Sequence, residues 1–182
     1  MSKRDSAVAL TLPVGERDHA QGAAAAAVTL VEYGDYECPY CGRAYPIVKQ
    51  IQERMGRRLR FIFRNFPLKE SHPHAERAAE AAEAAAAQGK FWEMHDRLFE
   101  RQFALEDSSL AEYAAELGLD VERFVRDLAQ GTQAPRVRED FRSGVSSGVN
   151  GTPTFFINGV RHDDSYDAET LLAALERAAK QK

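Results

Sequence analysis

Cysteine is scarce in this sequence: two in 182 residues, at positions 38 and 41. Two cannot build the multi-bridge framework of a disulfide-stapled protein, and at this spacing they point to redox or metal chemistry. Long apolar runs are missing as well. Nothing approaches the roughly 20 residues needed to span a bilayer, so no membrane contact is expected. Excess positive charge is absent too: 24 Lys and Arg stand against 28 Asp and Glu, a net charge of −4. A dedicated nucleic-acid binder would be basic, so that class is set aside. No internal repeat is present, and the only low-complexity tracts are runs of alanine.

What remains has the composition of a folded, soluble chain, long enough for one core and read as a single domain with an insertion. Lys3 and Arg4 followed by the apolar Ala7–Val14 sketch a leader, but Asp5 and Pro13 interrupt it. Ala7–Leu12 reads better as a short first strand, and a cytoplasmic location is the expectation, with a periplasmic or exported one as the alternative. The Ala23–Ala27 tract reads as a loop, and His19 as a structural or merely exposed residue.

Val28 to Gly42 organises the rest. Val28-Thr29-Leu30-Val31 is a β-rich run leading through Tyr33 and Tyr36 to Cys38-Pro39-Tyr40-Cys41. Beyond it Ala44, Ile47, Val48 and Ile51 recur at helical spacing, so a helix is expected from about Pro39 to Met55, stopped by Gly56. A strand thus delivers a C-x-x-C to a first helical turn, where Pro39 wastes no N–H. Unpaired N–H groups and the positive helix end favour a thiolate at Cys38. Cys38 is then the nucleophile in disulfide exchange, and Cys41, one turn on, the resolving thiol. Asp35 and Glu37, if near the sulfur, oppose this activation; Arg43 and the helix end favour it.

Leu59–Arg64 reads as a second strand, closing a βαβ unit with its site at the carboxyl end of the first strand. Helical spacing fills Ser71 to about Ser147. Its segments are His74–Ala87, a stripe of Phe91, His95, Leu98 and Phe99, a helix capped by Ser108 or Ser109, one capped by Asp120, and one carrying Val137 and Phe141. His95 reads as a core residue. His72-Pro73-His74 with the two cysteines has the wrong histidine spacing for a zinc site. Thr154–Ile157 reads as a buried strand turning at Asn158-Gly159 into Val160. Pro153 is compatible with a cis bond or with a trans proline at a strand edge. A final helix, Ala168–Ala179, carries Leu171, Leu172 and Leu175.

Taken together, E-Y-G-D-Y-E-C-P-Y-C, F-R-N-F-P with H-P-H-A, Q-G-K-F-W-E-M-H-D-x-L-F and G-T-P-T-F-F-I-N-G resemble the DsbA-like branch of the thioredoxin-fold thiol oxidoreductases. The match runs from about residue 28 to the C-terminus. The resemblance implies an α/β, thioredoxin-like fold with an inserted all-helical domain: residues 1–70 and 148–182 form the core and 71–147 the insertion. It implies that Pro153 is a cis-proline beside the cysteines and that Thr152 offers its backbone to a bound peptide. It also implies a buried proton acceptor near Cys41 at Glu32, with Pro39 and Tyr40 supporting the pair.

The expected function is thiol-disulfide exchange with protein or peptide thiols and disulfides. It needs no cofactor beyond the Cys38–Cys41 dithiol, no metal, and a separate recycling partner; a monomer is expected. Pro39-Tyr40 lacks the histidine of the strongly oxidising periplasmic members and resembles the glutaredoxin dipeptide, which keeps a glutathione-dependent reductase in view. The other alternative is a peptide- or zinc-binding module without turnover, its groove lined by Tyr40, Phe66, Thr152 and Pro153.

Overall fold

The computed structural model describes residues 8–181, so Lys3, Arg4 and Asp5 of the leader question lie outside the described residues. The elements follow as β1 (His19–Gln21), β2 (Val28–Gly34), α1 (Pro39–Met55), β3 (Leu59–Asn65), α2 (Ala75–Ala86), α3 (Phe91–Glu100), α4 (Asp107–Glu116), α5 (Val121–Ala129), α6 (Ala134–Ser146), β4 (Thr154–Ile157), β5 (Val160–His162) and α7 (Ala168–Ala179). The strands form one sheet in the order β1-β3-β2-β4-β5. β2 runs parallel to β3 and antiparallel to β4. It is therefore the central strand, and all its residues but Thr29 are buried.

The alternation of side chains along the strands divides the core in two. Leu30, Phe61, Phe63 and Phe155 face α1, α3 and α7, and this cluster extends without a break through α2, α4 and α5. Val31, Tyr33, Ile62 and Phe156 face the other way, under Val14, Phe66, Phe141 and Val149. α2 sits in the middle of the helical block between β3 and β4. Its buried alanines let α3, α4, α5 and α6 all pack against it.

Polar anchors cross these boundaries. Arg64, fully buried, donates to both carboxylate oxygens of Asp18 at 2.8 and 3.0 Å, to the carbonyls of Leu12 and Pro13, and to Tyr33 Oη. Asn65 donates to Glu83 of α2 at 2.7 Å and to Asp140 of α6 at 3.2 Å. The segment before β1, the sheet and the helical block are thereby fastened together.

Several expectations need correction. Of the strand expected at Ala7–Leu12, the described part pairs antiparallel with β5 through one isolated bridge, Ala9 to Val160. Hydrogen bonds from the Arg161 N–H to the Val8 carbonyl and from the Leu10 N–H to the Gly159 carbonyl flank it, before the Leu12 carbonyl turns to Arg64. The edge strand is instead β1, antiparallel to β3, too short for its alternation to be read from sequence. His19 lies in it, stacked on Phe91 and paired with Glu83 at 2.8 Å. α2 begins at Ala75 and not His74, because Glu37 holds the His74 ring and backbone N–H. α4 begins at Asp107, with Glu106 before it and Ser109 donating back to that carboxylate, so neither serine is the cap.

Candidate active site

The approach to the cysteines is set by close packing at the end of β2. A Cβ on Gly34 would lie 2.4 Å from the Phe63 ring and 3.2 Å from Glu32 Oε1, so glycine alone fits there. Asp35 then turns the chain into α1. Its Oδ1 accepts the N–H groups of Glu37 and Cys38 at 2.8 and 3.2 Å. Its Oδ2 accepts the N–H of Leu68 at 2.9 Å and meets His72 Nδ1 at 2.8 Å. The N–H of Asp35 points at Cys41 Sγ, 3.4 Å away.

Cys38 is the N-cap of α1 in extended conformation, and Pro39 follows in the first turn. Gln102, just past α3, donates to the carbonyls of Tyr36 and Cys38 at 2.9 and 2.8 Å and so clamps this turn from outside. A Cβ on Gly42 would meet its Oε1 at 2.3 Å. Sequence reasoning missed Gln102, and no local signal marks it, since a glutamine after a helix fits any surface loop.

The two sulfurs have different surroundings. Cys41 is fully buried and Cys38 keeps a small accessible area, 0% against 3% exposure. Cys38 is pulled down from 9.0 to about 5 by a hydrogen bond from the Cys41 thiol, by Thr152, and by the N–H groups of Cys41 and Tyr40, against the cost of burial. Cys41 is pushed well above the ordinary thiol range by burial, by its bond to Cys38 and by the charge of Glu32. Asp35, Glu37 and Arg43 are not among the main influences on Cys38. The two acids face backbone N–H groups and histidines, and the Arg43 guanidinium stacks 4.4 Å over the Tyr40 ring.

Glu32, on the strand below, is buried at 3% exposure, and its Oε1 has no hydrogen-bond partner among the described residues. Burial, and then the charge of Cys38, raise its carboxyl from 4.5 to about 8. Thr152 and Pro153 come from the loop before β4. Their peptide bond is cis, and the Thr152 carbonyl oxygen lies 3.5 Å from Cys38 Sγ. Tyr40 is exposed beside the pair. The structure thus gathers Glu32, Cys38, Pro39, Tyr40, Cys41, Thr152 and Pro153 in one place.

Phe66 does not join them. It is buried at 2% exposure and stacks on Phe141 with ring centroids 4.4 Å apart, so it cannot line a groove at the site. His72 and His74 are engaged by Asp35 and Glu37 separately. Among the described residues no group of three or more His, Cys, Asp and Glu is placed to hold a metal ion. His95 sits in the core with its Nδ1 3.1 Å from Tyr36 Oη, and burial holds it well below the ordinary imidazole value, hence neutral.

Comparison with known proteins gives a consistent fold. A family model described as Thioredoxin matches residues 15–177. The oxidised crystal structure of BdbD from Bacillus subtilis superposes with a TM-score of 0.84 at 25% identity, covering 96% of this chain and 98% of that one. A thioredoxin-like oxidoreductase from Silicibacter pomeroyi superposes at 0.77 with 29% identity, covering 91% and 94%. Among curated proteins, a Na(+)/H(+) antiporter NhaA 1 of Salinispora arenicola is 49% identical over 170 residues, which is 93% of this chain and 26% of that protein. The chain therefore spans about a quarter of the length of the curated relatives it matches.

Proposed function

Because the chain belongs to the thioredoxin family, in its DsbA-like branch of thiol:disulfide oxidoreductases, we propose that it exchanges disulfides with protein substrates through Cys38 and Cys41. The observation that carries this reading is the unequal pair of sulfurs: Cys38 at the N-cap of α1, keeping a small accessible area and 3.5 Å from the Thr152 carbonyl, and Cys41 fully buried behind it. Cys38 attacks a substrate disulfide, the substrate's leaving sulfur departs, and a mixed disulfide forms. Cys41 then attacks Cys38 Sγ and releases the second substrate sulfur. Its proton must go somewhere dry and near; Glu32, the buried carboxyl whose charge acts on Cys41 and which ionises at about pH 8, takes it. Run backwards, the same steps oxidise a substrate dithiol.

A polypeptide substrate suits the surface better than a small molecule. The hollow beside Pro153, lined by Tyr166, His162 and Asp164 among others, measures about 150 Å³. Small-molecule pockets typically enclose about 300–1,000 Å³. An extended peptide laid along Thr152 would place its cysteine at Cys38. No cofactor beyond the dithiol is required, and a second redox protein recycles the pair. The antiporter name of the curated relatives is not carried over. The match covers a quarter of their length, and no helix among the described residues is long and apolar enough to cross a membrane.

The test is the equilibrium of the Cys38–Cys41 pair in glutathione buffers, followed by thiol alkylation. A potential near about −120 to −180 mV marks a disulfide donor, and one at or below about −270 mV a reductase. Cys38→Ser abolishes exchange, and Cys41→Ser accumulates the mixed disulfide. If no intramolecular disulfide forms at any ratio, the proposal fails.

A further inference from the structure

The dipeptide Pro39-Tyr40 brings no cation to the cysteines, and Arg43 is turned onto Tyr40. Yet a carboxylate, Asp35, stands at the turn, 1% exposed, touching the backbone of Cys38 and, through its own N–H, the sulfur of Cys41. Left unpaired, a negative charge at that place would oppose a thiolate; paired as it is, Asp35 is not among the main influences on Cys38. The β3–α2 loop answers that charge. Leu68 donates its N–H to Asp35 Oδ2, its carbonyl accepts the N–H of His72 at 2.9 Å, and His72 Nδ1 lies 2.8 Å from the same Oδ2.

We propose that His72 is a positioning residue for the exchange reaction: its ring, held on Asp35, offsets that carboxylate beside Cys38 when protonated, and the neutral fraction of the ring takes up a proton as the disulfide is reduced. This rests on the function proposed above. The side chain of His72 is 19% exposed and so can trade protons with solvent. Partial burial opposes its charge, but the hydrogen bond and charge of Asp35, and then the charges of Cys38 and Glu37, outweigh burial and raise its pKa. On its own loop stand Lys69, Glu70 and His74, and His74 is engaged by Glu37.

Linkage makes the coupling reciprocal. If the thiolate favours the protonated ring, the protonated ring lowers the Cys38 pKa by the same factor. When a substrate dithiol reduces the pair, the Cys38–Cys41 bond breaks, the substrate disulfide forms, and two electrons pass to the pair. Of the two substrate thiol protons, one ends on Cys41 and the other leaves, because Cys38 stays a thiolate. His72 takes up a share of that second proton in the pH range where it titrates. Oxidation returns it.

The test uses the intact chain. The His72 ring is titrated by NMR in the dithiol and disulfide forms, and the Cys38 thiolate by its ultraviolet absorbance. The expected result is a higher His72 pKa in the dithiol form. His72→Asn, which keeps an N–H donor without charge, should raise the Cys38 pKa by about half a unit to one unit. His72→Lys, which keeps the charge, should restore the low value. An unchanged Cys38 titration in His72→Asn, or one His72 pKa common to both redox forms, overturns the proposal. The wild-type ring titration needs no variant, so a misfolded substitution does not hide the answer. Should the pair form no disulfide in glutathione buffers, exchange itself fails, while the Cys38 titration in the dithiol form still decides the role of His72.

Discussion

Cys38 and Cys41 differ by three positions and titrate in opposite directions because one sits at the helix mouth and the other under it. Cys38 titrates at about 5 in the fold against 9.0 without it. Between those values the unfolded chain binds the extra proton, so the dithiol protein gains stability as pH rises. Iodoacetamide reactivity of Cys38 should climb through about pH 5 and then level off, and Cys41→Ala, which removes the donor, should move that rise upward. Glu32 runs the other way, at about 8 against 4.5. Its native carboxyl holds a proton the unfolded one has lost, and stability drains as pH climbs through that window. Glu32→Gln should therefore stabilise the fold above pH 8, by up to about 5 kcal/mol, with a higher melting temperature there, and slow resolution of the mixed disulfide. An unchanged melt at pH 9 would show that Glu32 is not buried as described. The cysteines, Pro153 and Glu32 could be found in the sequence because each belongs to a short motif. The roles of Asp35, His72 and Gln102 depend on contacts 33 to 66 positions apart, and such contacts leave no periodic trace.

Among the elements, α1 was legible to the residue because Pro39 opens it, Gly56 ends it and its apolar positions keep helical spacing. β1 was not, since three residues cannot display a period of two. α6 shows how an element is fitted to its neighbours. Gly144 faces the sheet, and a Cβ there would lie 2.6 Å from the Phe66 ring and 3.0 Å from Tyr33. Gly144→Ala gains about 1 kcal/mol of helix propensity. Two buried rings must shift to admit the methyl, and overpacking of this kind costs roughly 1–3 kcal/mol. Packing should win, with a lower denaturation midpoint in urea; a rise would mean that α6 can slide. Gln102→Ala should cost about 1 kcal/mol for each of two lost hydrogen bonds. Exchange should slow, because the carbonyl turn ahead of Cys38 loses its clamp.

At the scale of the molecule, the ion pair of Arg64 and Asp18 closes the segment before β1 over the sheet, and both side chains have zero exposure. Burial pushes Asp18 up, but its bond to Arg64 and to the Gly15 N–H keep it below the usual carboxylate value. Asp18→Ala leaves a buried guanidinium unpaired and should cost about 3–5 kcal/mol; a loss under 1 kcal/mol in urea unfolding would show the segment to be loosely held. This clamp was invisible in the sequence, where Arg64 reads as one more residue of a strand. The alternation that places β2 and β3 in a sheet was plain, but not which charge would be sealed inside. The position of β2 has one more consequence. Hydrogen-bonded on both sides and covered on both faces, its amides should exchange with deuterium among the slowest in the chain. Its end holds the reacting sulfurs, which therefore cannot reach out to a partner. Accommodation falls to the other polypeptide, so a cysteine in a nascent or slackened stretch should react much faster than the same cysteine inside a finished domain.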